Sequence, residues 1–436
     1  MLTIIISILT ILALILVIIF KPTLKIKNLE LQTFWVVALL GALLLIICGE
    51  VTFTEIKEVF FSDDSMNPIK ILVLFIAVSF LSIVLDEAGF FKKCAVVATS
   101  ITKGSQIKLF ISLSCIISLL TIFTSNDIVI LTFTPFICYF TKHVRVSPIP
   151  YLIGEFIFAN TWSMMLIIGN PTNIYLASAF DINFFEYLKV MALPTIVAGL
   201  SAMAILLLMF RKPLKKKMII DEDEIHVELN LFITTVGIIH LGLCTILLAI
   251  SSYIGIDMWL ICLGFALSLM IFLLIYQAIR KANVLKNAIK RLPYNLIPFI
   301  LSMFIVVTAL AKCGVIHKIA EVLDSVSVNS NLTIYTYGFG SFISSNILNN
   351  IPMSVMFEKV ISSSNMLYLN EKIYSSIVAS NIGAYFTPIG ALAGIMWMGI
   401  LGKTGLKFGF REFLKFGIIL SPIIMFVTLT TLLIVI

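Results

Sequence analysis

Apolar runs long enough to cross a bilayer recur from one end of the chain to the other, and they leave few ways to fold it. They fall near residues 2–20, 31–49, 69–90, 148–180, 185–210, 231–250, 258–279, 294–312, 372–402 and 416–436. As helices, each can cover about 30 Å of hydrocarbon. Composition agrees: 60% of the 436 residues are apolar and 12% are charged. A soluble domain is roughly 45–50% apolar and about 25% charged. The sequence therefore specifies an all-α polytopic membrane protein with about ten transmembrane helices. The first run has no basic residue before it and no small-residue cleavage site after it, so it reads as a transmembrane helix and not a signal peptide.

Two further stretches, 107–140 and 331–360, carry polar or helix-breaking residues in their middle. Each looks too short for two full crossings and reads as a re-entrant hairpin. Charge then gives an orientation. Lys21, Lys25 and Lys27, then Lys92, Lys93, Lys103 and Lys108, then Lys142 and Arg145, share one side if both hairpins return to the side they entered from. Arg211 through Lys217, Arg280 through Arg291 and Lys403 through Lys415 fall there as well. By the positive-inside rule that side is cytoplasmic. The 50–64 loop holds Glu50, Glu55, Glu58, Asp63 and Asp64 against Lys57 alone, which suits the outside. Both termini are then expected outside, in a bacterial-type plasma membrane. Lys312 and Lys318 also land outside, with Glu321 and Asp324 close enough in sequence to offset them.

The chain also repeats itself. FIAVSFLSIVLDEAGFFKKCA (75–95) resembles FILSMFIVVTALAKCGVIHKIA (299–320). Each segment is followed by a hairpin with Asn at its break, TSNDIVILTFTP (124–135) and SSNILNNIPMSV (344–355). Each half then has a helix broken by a polar Pro motif, IGNPTNIYLA (168–177) and YFTPIGALAG (385–394). The expected organisation is an N-terminal helix (1–30), a first repeat (31–210) with its hairpin and the broken helix 148–180, a cytoplasmic linker (211–230), and a second repeat (231–436) with its hairpin and the broken helix 372–402. The orientation above gives the two copies opposite topology, as in many secondary transporters.

Non-helical backbone at membrane depth is tolerated only where protein buries it or water reaches it. Four breaks meet that description: Thr124–Asp127, Gly169–Asn173, Ser345-Asn346 through Asn349-Asn350, and Thr387–Gly390. A broken helix offers N–H groups to anions at one end and carbonyls to cations at the other. The expected solute or ion site is therefore Ser125, Asn126, Asp127, Asn170, Thr172 and Asn173 from the first repeat with Asn349, Asn350, Thr387 and Pro388 from the second. Asp127, a carboxylate deep in apolar sequence, is the candidate carrier of a coupling proton or cation; the alternative is an N-cap for a helix beginning at Ile128. Glu155 is a second coupling candidate. Asn160 and Asn381, in equivalent places ahead of the two Pro motifs, line or brace the pathway or make a helix–helix hydrogen bond. Asp86 and Glu87 read as interfacial, and Trp35, Trp162, Trp259 and Trp397 as packing or interface anchors.

Other classes fit poorly. The net charge of +7 follows from the loops, and no basic domain exists to hold nucleic acid. The seven cysteines form no CxxC pair and the four histidines have no metal-ligand spacing. No metal beyond a coupling sodium ion and no other cofactor is expected. No nucleophile–base pair or phosphate loop suggests an enzyme. A channel lacks a ring-forming filter motif here, and a non-transporting scaffold would not need polar hairpin tips.

The motifs resemble those of the ArsB/NhaD permeases of the ion transporter superfamily, over roughly residues 30–436. SND at 125–127 is similar to the hairpin Asn-Asp of arsenite permeases, and NNIP at 349–352 to their second hairpin motif. ASNIGAYFTPIGALAGIMW at 379–397 is similar to their Asn-Gly-Thr-Pro-Ile-Gly-Ser-Leu segment. GNPTN at 169–173 resembles the break of the wider superfamily, which also holds citrate and dicarboxylate carriers. Dicarboxylate members carry Ser-Asn-Thr at both tips, so Asp127 and the Asn349-Asn350 pair count against a dicarboxylate. The resemblance implies a secondary transporter of a small inorganic solute or anion, such as arsenite, coupled to protons or sodium. It also implies a transport domain that moves like an elevator against a scaffold, commonly in a homodimer. A sodium/proton antiporter on the same scaffold is the alternative.

Overall fold

Uninterrupted apolar sequence has formed uninterrupted helix, and the polar motifs are where the helices stop. The computed structural model describes residues 1–436 except 22, 27–28, 62–66, 101, 103, 217, 219–227, 281–282, 404–405 and 407. The acidic block of the linker, Asp63 and Asp64, and Lys27, Lys103, Lys217, Lys281 and Lys407 lie outside the described residues.

The N-terminal part runs α1 (Leu2–Phe20), β1 (Thr23–Ile26), β2 (Leu29–Gln32), α2 (Thr33–Ile47) and α3 (Phe53–Phe60). It continues through α4 (Pro68–Glu87), α5 (Phe90–Ser100), α6 (Gln106–Phe123), α7 (Asn126–His143), α8 (Ile149–Trp162), α9 (Pro171–Ala179), α10 (Phe184–Met209) and α11 (Arg211–Leu214). The second half holds α12 (Leu231–Ile254), α13 (Met258–Arg280), α14 (Val284–Arg291), α15 (Leu296–Lys312), α16 (Val315–Val326), α17 (Ser330–Leu348), α18 (Asn350–Ser363), α19 (Leu369–Ile382), α20 (Leu392–Lys403) and α21 (Phe410–Val435). Among the described residues, eight helical stretches are long and apolar enough to cross a membrane. The protein is an all-α integral membrane protein. The β1–β2 hairpin, antiparallel with Thr23 opposite Gln32, replaces the expected loop at 21–27 and shortens the expected span 31–49 to the 15 residues of α2.

Helix starts follow local chemistry. Asn67 accepts from the Lys70 N–H, with Pro68 in the first turn of α4. Asn183 and Glu186 close a reciprocal capping box on α10. Each leaves fewer orphan N–H groups at a helix end. The eighteen-residue arms α6 and α7 are longer than expected, about 27 Å each at 1.5 Å per residue.

Polar contacts fasten the helices at both ends of the molecule. At one end Arg291 bridges Asp86 and Glu87, both at 2.6 Å. There too the Gln106 amide donates to the Lys216 carbonyl, and the Asn230 N–H to the Ala88 carbonyl. At the other end Thr3 donates to Glu50, and Lys312 pairs with Glu55 at 2.7 Å. The Lys312 ammonium, with the Thr52 cap, holds the Glu55 carboxyl down at about 2. Lys312 finds its ion-pair partner in Glu55 and not in the acids that follow it in sequence. Glu321 sits beside His317, and Asp324 pairs with Lys372, 48 residues further on.

The Lys372 cluster ties α16, α17 and α19 together. Lys372 is 1% exposed. Its ammonium donates to Asp324 Oδ1 at 2.7 Å, to the Asn365 carbonyl at 2.8 Å and to Ser364 Oγ at 3.0 Å. Tyr337 donates its hydroxyl to the same carboxylate at 2.8 Å. Burial pushes the Asp324 carboxyl up, but the hydrogen bonds from Lys372, the Asn365 N–H and Tyr337 outweigh it, and the group is held below its ordinary value. Its stabilisation is therefore present above the ordinary carboxylate range and is lost as pH falls through the depressed folded value. Lys372→Met should destabilise the protein by about 2–4 kcal/mol, because it strands a partly buried carboxylate. Thermal unfolding in detergent should show a lower midpoint, and the gap to wild type should narrow on acidification.

Candidate functional site

Both hairpins are built as helix pairs laid against a third helix that ends in a break. In the first repeat α6 and α7 pack on α8, and in the second α17 and α18 pack on α19. Three polar contacts step along the first group. Tyr151 donates to Gln106 Oε1 at 3.2 Å near the open end, Thr134 meets Glu155 at 2.9 Å midway, and Asn126 donates to Asn160 Oδ1 at 2.9 Å at the tip. Both arms thus return to the end where α8 begins. The second group has matching levels. These are the Lys372 cluster, Ser341 donating to Ser376 Oγ at 2.9 Å, and Asn350 donating to the Ser380 carbonyl at 3.3 Å.

Beyond the tips the two broken helices are stitched together. The first break runs from Ser163 to Asn170 with a single 3-10 turn at Ile167–Gly169; the second begins with a 3-10 turn at Gly383–Tyr385 and ends where α20 starts. Asn381, fully buried, accepts from Asn170 Nδ2 at 2.8 Å and from Ser163 Oγ at 2.9 Å, and donates to Asn173 Oδ1 at 2.7 Å. Thr172 and Ser380 share a hydroxyl contact of 2.9 Å, and Thr161 and Tyr385 one of 3.3 Å. A series of polar contacts therefore runs from tip to tip, with the one Ser163 proton shared between the Asn160 carbonyl and Asn381 Oδ1. It runs from Asn126 through Asn160, Ser163, Asn381 and Ser380 to Asn350.

The orientation of the tip amides is decided by their neighbours. Asn160 Nδ2 donates to the Phe156 carbonyl at 2.7 Å, which turns its Oδ1 toward Asn126. The Asn126 NH2 is thereby committed, and its Oδ1 is buried without a partner. Asn350 spends its NH2 on the Ser380 carbonyl, and its Oδ1 is buried without a partner too. Ser125 Oγ is a third such atom. An unmet buried acceptor costs about 1–3 kcal/mol, so each tip is set to receive a hydrogen-bond donor or a cation. The N-termini of α7, α9 and α18 add positive dipole ends at the same breaks. Asp127 balances one of them. It lies in the first turn of α7, 8% exposed, and no described residue hydrogen-bonds its side chain.

The sequence expectations divide here. Asn126, Asn170, Thr172, Asn173 and Asn350 join one network, as do the brace candidates Asn160 and Asn381. Asp127 is not an N-cap: α7 starts one residue earlier and Ser125 holds that position. The second break is narrower than expected. α17 continues through Ser345 and Asn346 to Leu348, and only Asn349, with φ +83°, interrupts the helices. Such a conformation costs a non-glycine residue on the order of 1–3 kcal/mol, offset here as Asn349 donates to the Ile389 carbonyl at 3.0 Å. Thr387 faces α17 of the second hairpin. Its N–H and hydroxyl both donate to Asn346 Oδ1, at 3.1 and 2.8 Å, with Pro388 next in line. Ser163 and Ser380 were not singled out from sequence, because a serine on an apolar helix carries no signal of its own.

These elements rest on α4 and α15, the two segments that resemble each other in sequence. A cavity of about 10 Å³ separates them, lined by Phe75 of α4, Thr172 and Tyr175 of α9, Phe304 of α15 and Ile351 and Ser354 of α18. The transporter likeness extends to known proteins. The model of the citrate transporter family (CitMHS) matches residues 14–371, short of the Thr387–Gly390 motif. The arsenical pump membrane protein of Escherichia coli (strain K12) is 27% identical over 405 residues, covering 91% of this chain and 92% of its own. The putative arsenical pump membrane protein of Bacillus subtilis (strain 168) is 24% identical over 426 residues, covering 91% and 93%. A 46 kDa membrane protein of Mycobacterium leprae is 21% identical over 394 residues.

Asn381→Ala removes the acceptor of Ser163 and Asn170 and the donor to Asn173 at once. It should cost about 2–3 kcal/mol, as several buried polar groups lose partners. The readout is thermal unfolding in detergent, where Asn381→Asp, which keeps the acceptor, should fall between the two.

Proposed function

The chain belongs to the citrate transporter family, and from that premise we propose that it is a secondary active transporter of a small inorganic solute of the arsenite type, coupled to protons or sodium. The observation that carries this reading is the pair of orphaned carbonyl oxygens, Asn126 Oδ1 and Asn350 Oδ1, one at each hairpin tip. Bare oxyanions offer nothing to such atoms. A hydroxylated solute such as arsenious acid offers O–H donors to both, and its oxygens can accept from the helix N-termini. The arsenical pumps among the relatives fit that chemistry. Ser125, Asn126 and Asp127 with Asn170, Thr172 and Asn173 form one side of the proposed site, and Asn349, Asn350, Thr387 and Pro388 the other.

In this reading the two repeats are inverted, and the hairpins with α8, α9, α19 and α20 move together against α4, α15 and their neighbours, as an elevator. Narrow, mostly apolar packing at the Phe75–Phe304 cavity suits such sliding. Asp127 carries the coupling proton or ion at the solute. The protein works as a homodimer in the plasma membrane with both termini outside, and transport rather than enzymatic turnover is its activity. A second reading has support from the same atoms. Two amide oxygens, a hydroxyl and a carboxylate also suit a sodium ion, so a sodium/proton antiporter competes.

Flux in proteoliposomes separates the two. The protein is reconstituted with a pH-sensitive dye trapped inside, and arsenite, sodium or lithium is added outside. Saturable arsenite uptake that moves protons, with proton movement lost in Asp127→Asn, is the expected result. Cation-driven alkalinisation without arsenite flux would establish the antiporter instead.

A further inference from the structure

The hairpin groups rest on α4 and α15, and both helices carry polar atoms that the fold does not use. On α4, Ile71, Phe75, Ser79, Ser82 and Asp86 recur at i, i+4, i+8, i+11 and i+15. With 3.6 residues per turn they fall within about 80° of one another, on one face. Ile71 and Phe75 line the small cavity that Thr172 of α9 and Ile351 of α18 also line, so this is the face that meets the broken helix and the second hairpin. Past the cavity it turns polar. Ser79 is 1% exposed and Ser82 is wholly buried, and neither hydroxyl has a hydrogen-bond partner among the described residues. Asp86 Oδ1 has none either, while its Oδ2 meets Arg291 at 2.6 Å.

The second helix continues from the same cavity. Ile300 and Phe304 of α15 line it, and one turn beyond Phe304 the Thr308 hydroxyl is buried without a partner. Helical hydroxyls can bond locally. On other helices of this protein Ser118, Thr121 and Thr134 each donate to the carbonyl four residues back, at 2.7, 2.7 and 2.6 Å. Ser79, Ser82 and Thr308 make no such bond. The two helices lead to opposite ends of the molecule, and an ion pair closes each end. Arg291, the last residue of α14 and just ahead of α15, holds Asp86 and Glu87 at the end of α4. Glu55 of α3, just ahead of α4, holds Lys312 at the end of α15 at 2.7 Å. Each short helix thus closes the long helix of the other repeat.

We propose that these two faces are the legs of the solute path: Ser79 and Ser82 hydrogen-bond the solute on the leg toward Arg291, and Thr308 does so on the leg toward Glu55. An uncharged hydroxylated solute suits such steps, because a serine or threonine hydroxyl both donates to it and accepts from it. Asp86 Oδ1 offers a further acceptor about 6 Å along the helix from Ser82. The Asp86–Arg291 and Glu55–Lys312 pairs bar the two mouths, and Phe75 and Phe304 form the apolar constriction between the legs. The residues that pass the solute on are therefore distinct from the hairpin tips that select it. The inference deepens the proposed transport and rests on it for the solute, not for the route.

Two measurements on the full chain test this. In the first, Ser79→Cys, Ser82→Cys and Thr308→Cys are exposed to a membrane-impermeant thiol reagent on one side or the other of sealed, oriented proteoliposomes. Labelling is read on each peptide by mass spectrometry, which separates the new thiols from the seven native ones. The cysteines at 79 and 82 should label only from the Arg291 side and that at 308 only from the Glu55 side. No labelling, or labelling of all three from one side, would overturn the path. The second measurement compares Ser79→Ala, Ser82→Ala and Thr308→Val. Each removes an unpaired buried group, so thermal midpoints in detergent should stay at or above wild type. Arsenite flux should nevertheless fall several-fold. Ser7→Ala, which removes an equally unpaired hydroxyl on α1, should leave flux unchanged. Flux that survives all three path variants would make the hydroxyls merely structural. If wild-type protein moves no arsenite, the proposed substrate fails, while the labelling still decides the route.

Discussion

Every backbone N–H and C=O at membrane depth must find a partner inside the protein. That constraint explains why this chain can break two helices in its middle and still fold. Where α8 stops, the Ser163 carbonyl takes Asn173 Nδ2 at 2.8 Å and the Asn170 side chain receives the Thr172 N–H. Where α19 stops, Asn346 Nδ2 reaches the Gly383 carbonyl at 3.1 Å, and Ser421 of α21 donates to the Ile382 carbonyl at 2.8 Å. Amide side chains serve because each offers donor and acceptor at once. Close backbone approach does the rest. A Cβ on Gly417 would lie 2.1 Å from the Phe386 carbonyl oxygen, and one on Gly390 2.4 Å from that of Gly383.

The same constraint explains what is left over. A network dense enough to satisfy two breaks has little reason to leave Asn126 Oδ1 and Asn350 Oδ1 bare, since each amide could be exchanged for an apolar residue at lower cost. Sites of this kind violate local economy and are the places where function is sought. Their partners on the protein side, Asn160 and the Ser380 carbonyl, are fixed by the braces behind them. The tip amides are therefore held in fixed orientations by the protein itself.

Spans and breaks were legible in the sequence because each rests on a local signal. Sixteen of the nineteen residues from Leu2 to Phe20 are apolar, which at membrane depth favours helix, and a Pro beside Asn or Thr inside such a run favours a break. The β1–β2 hairpin was not legible, as four-residue strands beside charged residues resemble any loop. Partner identity was the larger gap. Lys312 chose Glu55 over Glu321, and Asp86 met Arg291, because such pairing depends on which helices pack together and not on sequence distance. Trp397 read as packing, and it does pack, with Phe156 at 5.3 Å and Phe408 at 5.3 Å.

The two repeats share a scaffold but not its charges. At the tip the first repeat has Asp127 beside its Asn, and the second has Asn350. Midway along the helices Thr134 meets a carboxyl in the first, while two serines, Ser341 and Ser376, meet in the second. At the outer level the second repeat places its buried ion pair, Lys372 with Asp324, and the first has the neutral Tyr151–Gln106 contact. Among the described residues, the carboxyls at the tip and middle levels, Asp127 and Glu155, belong to the first group, and the second carries its ion pair at the outer level. Asn381 and Thr172 bind the two groups to each other, so the asymmetry of their charges meets at the shared breaks.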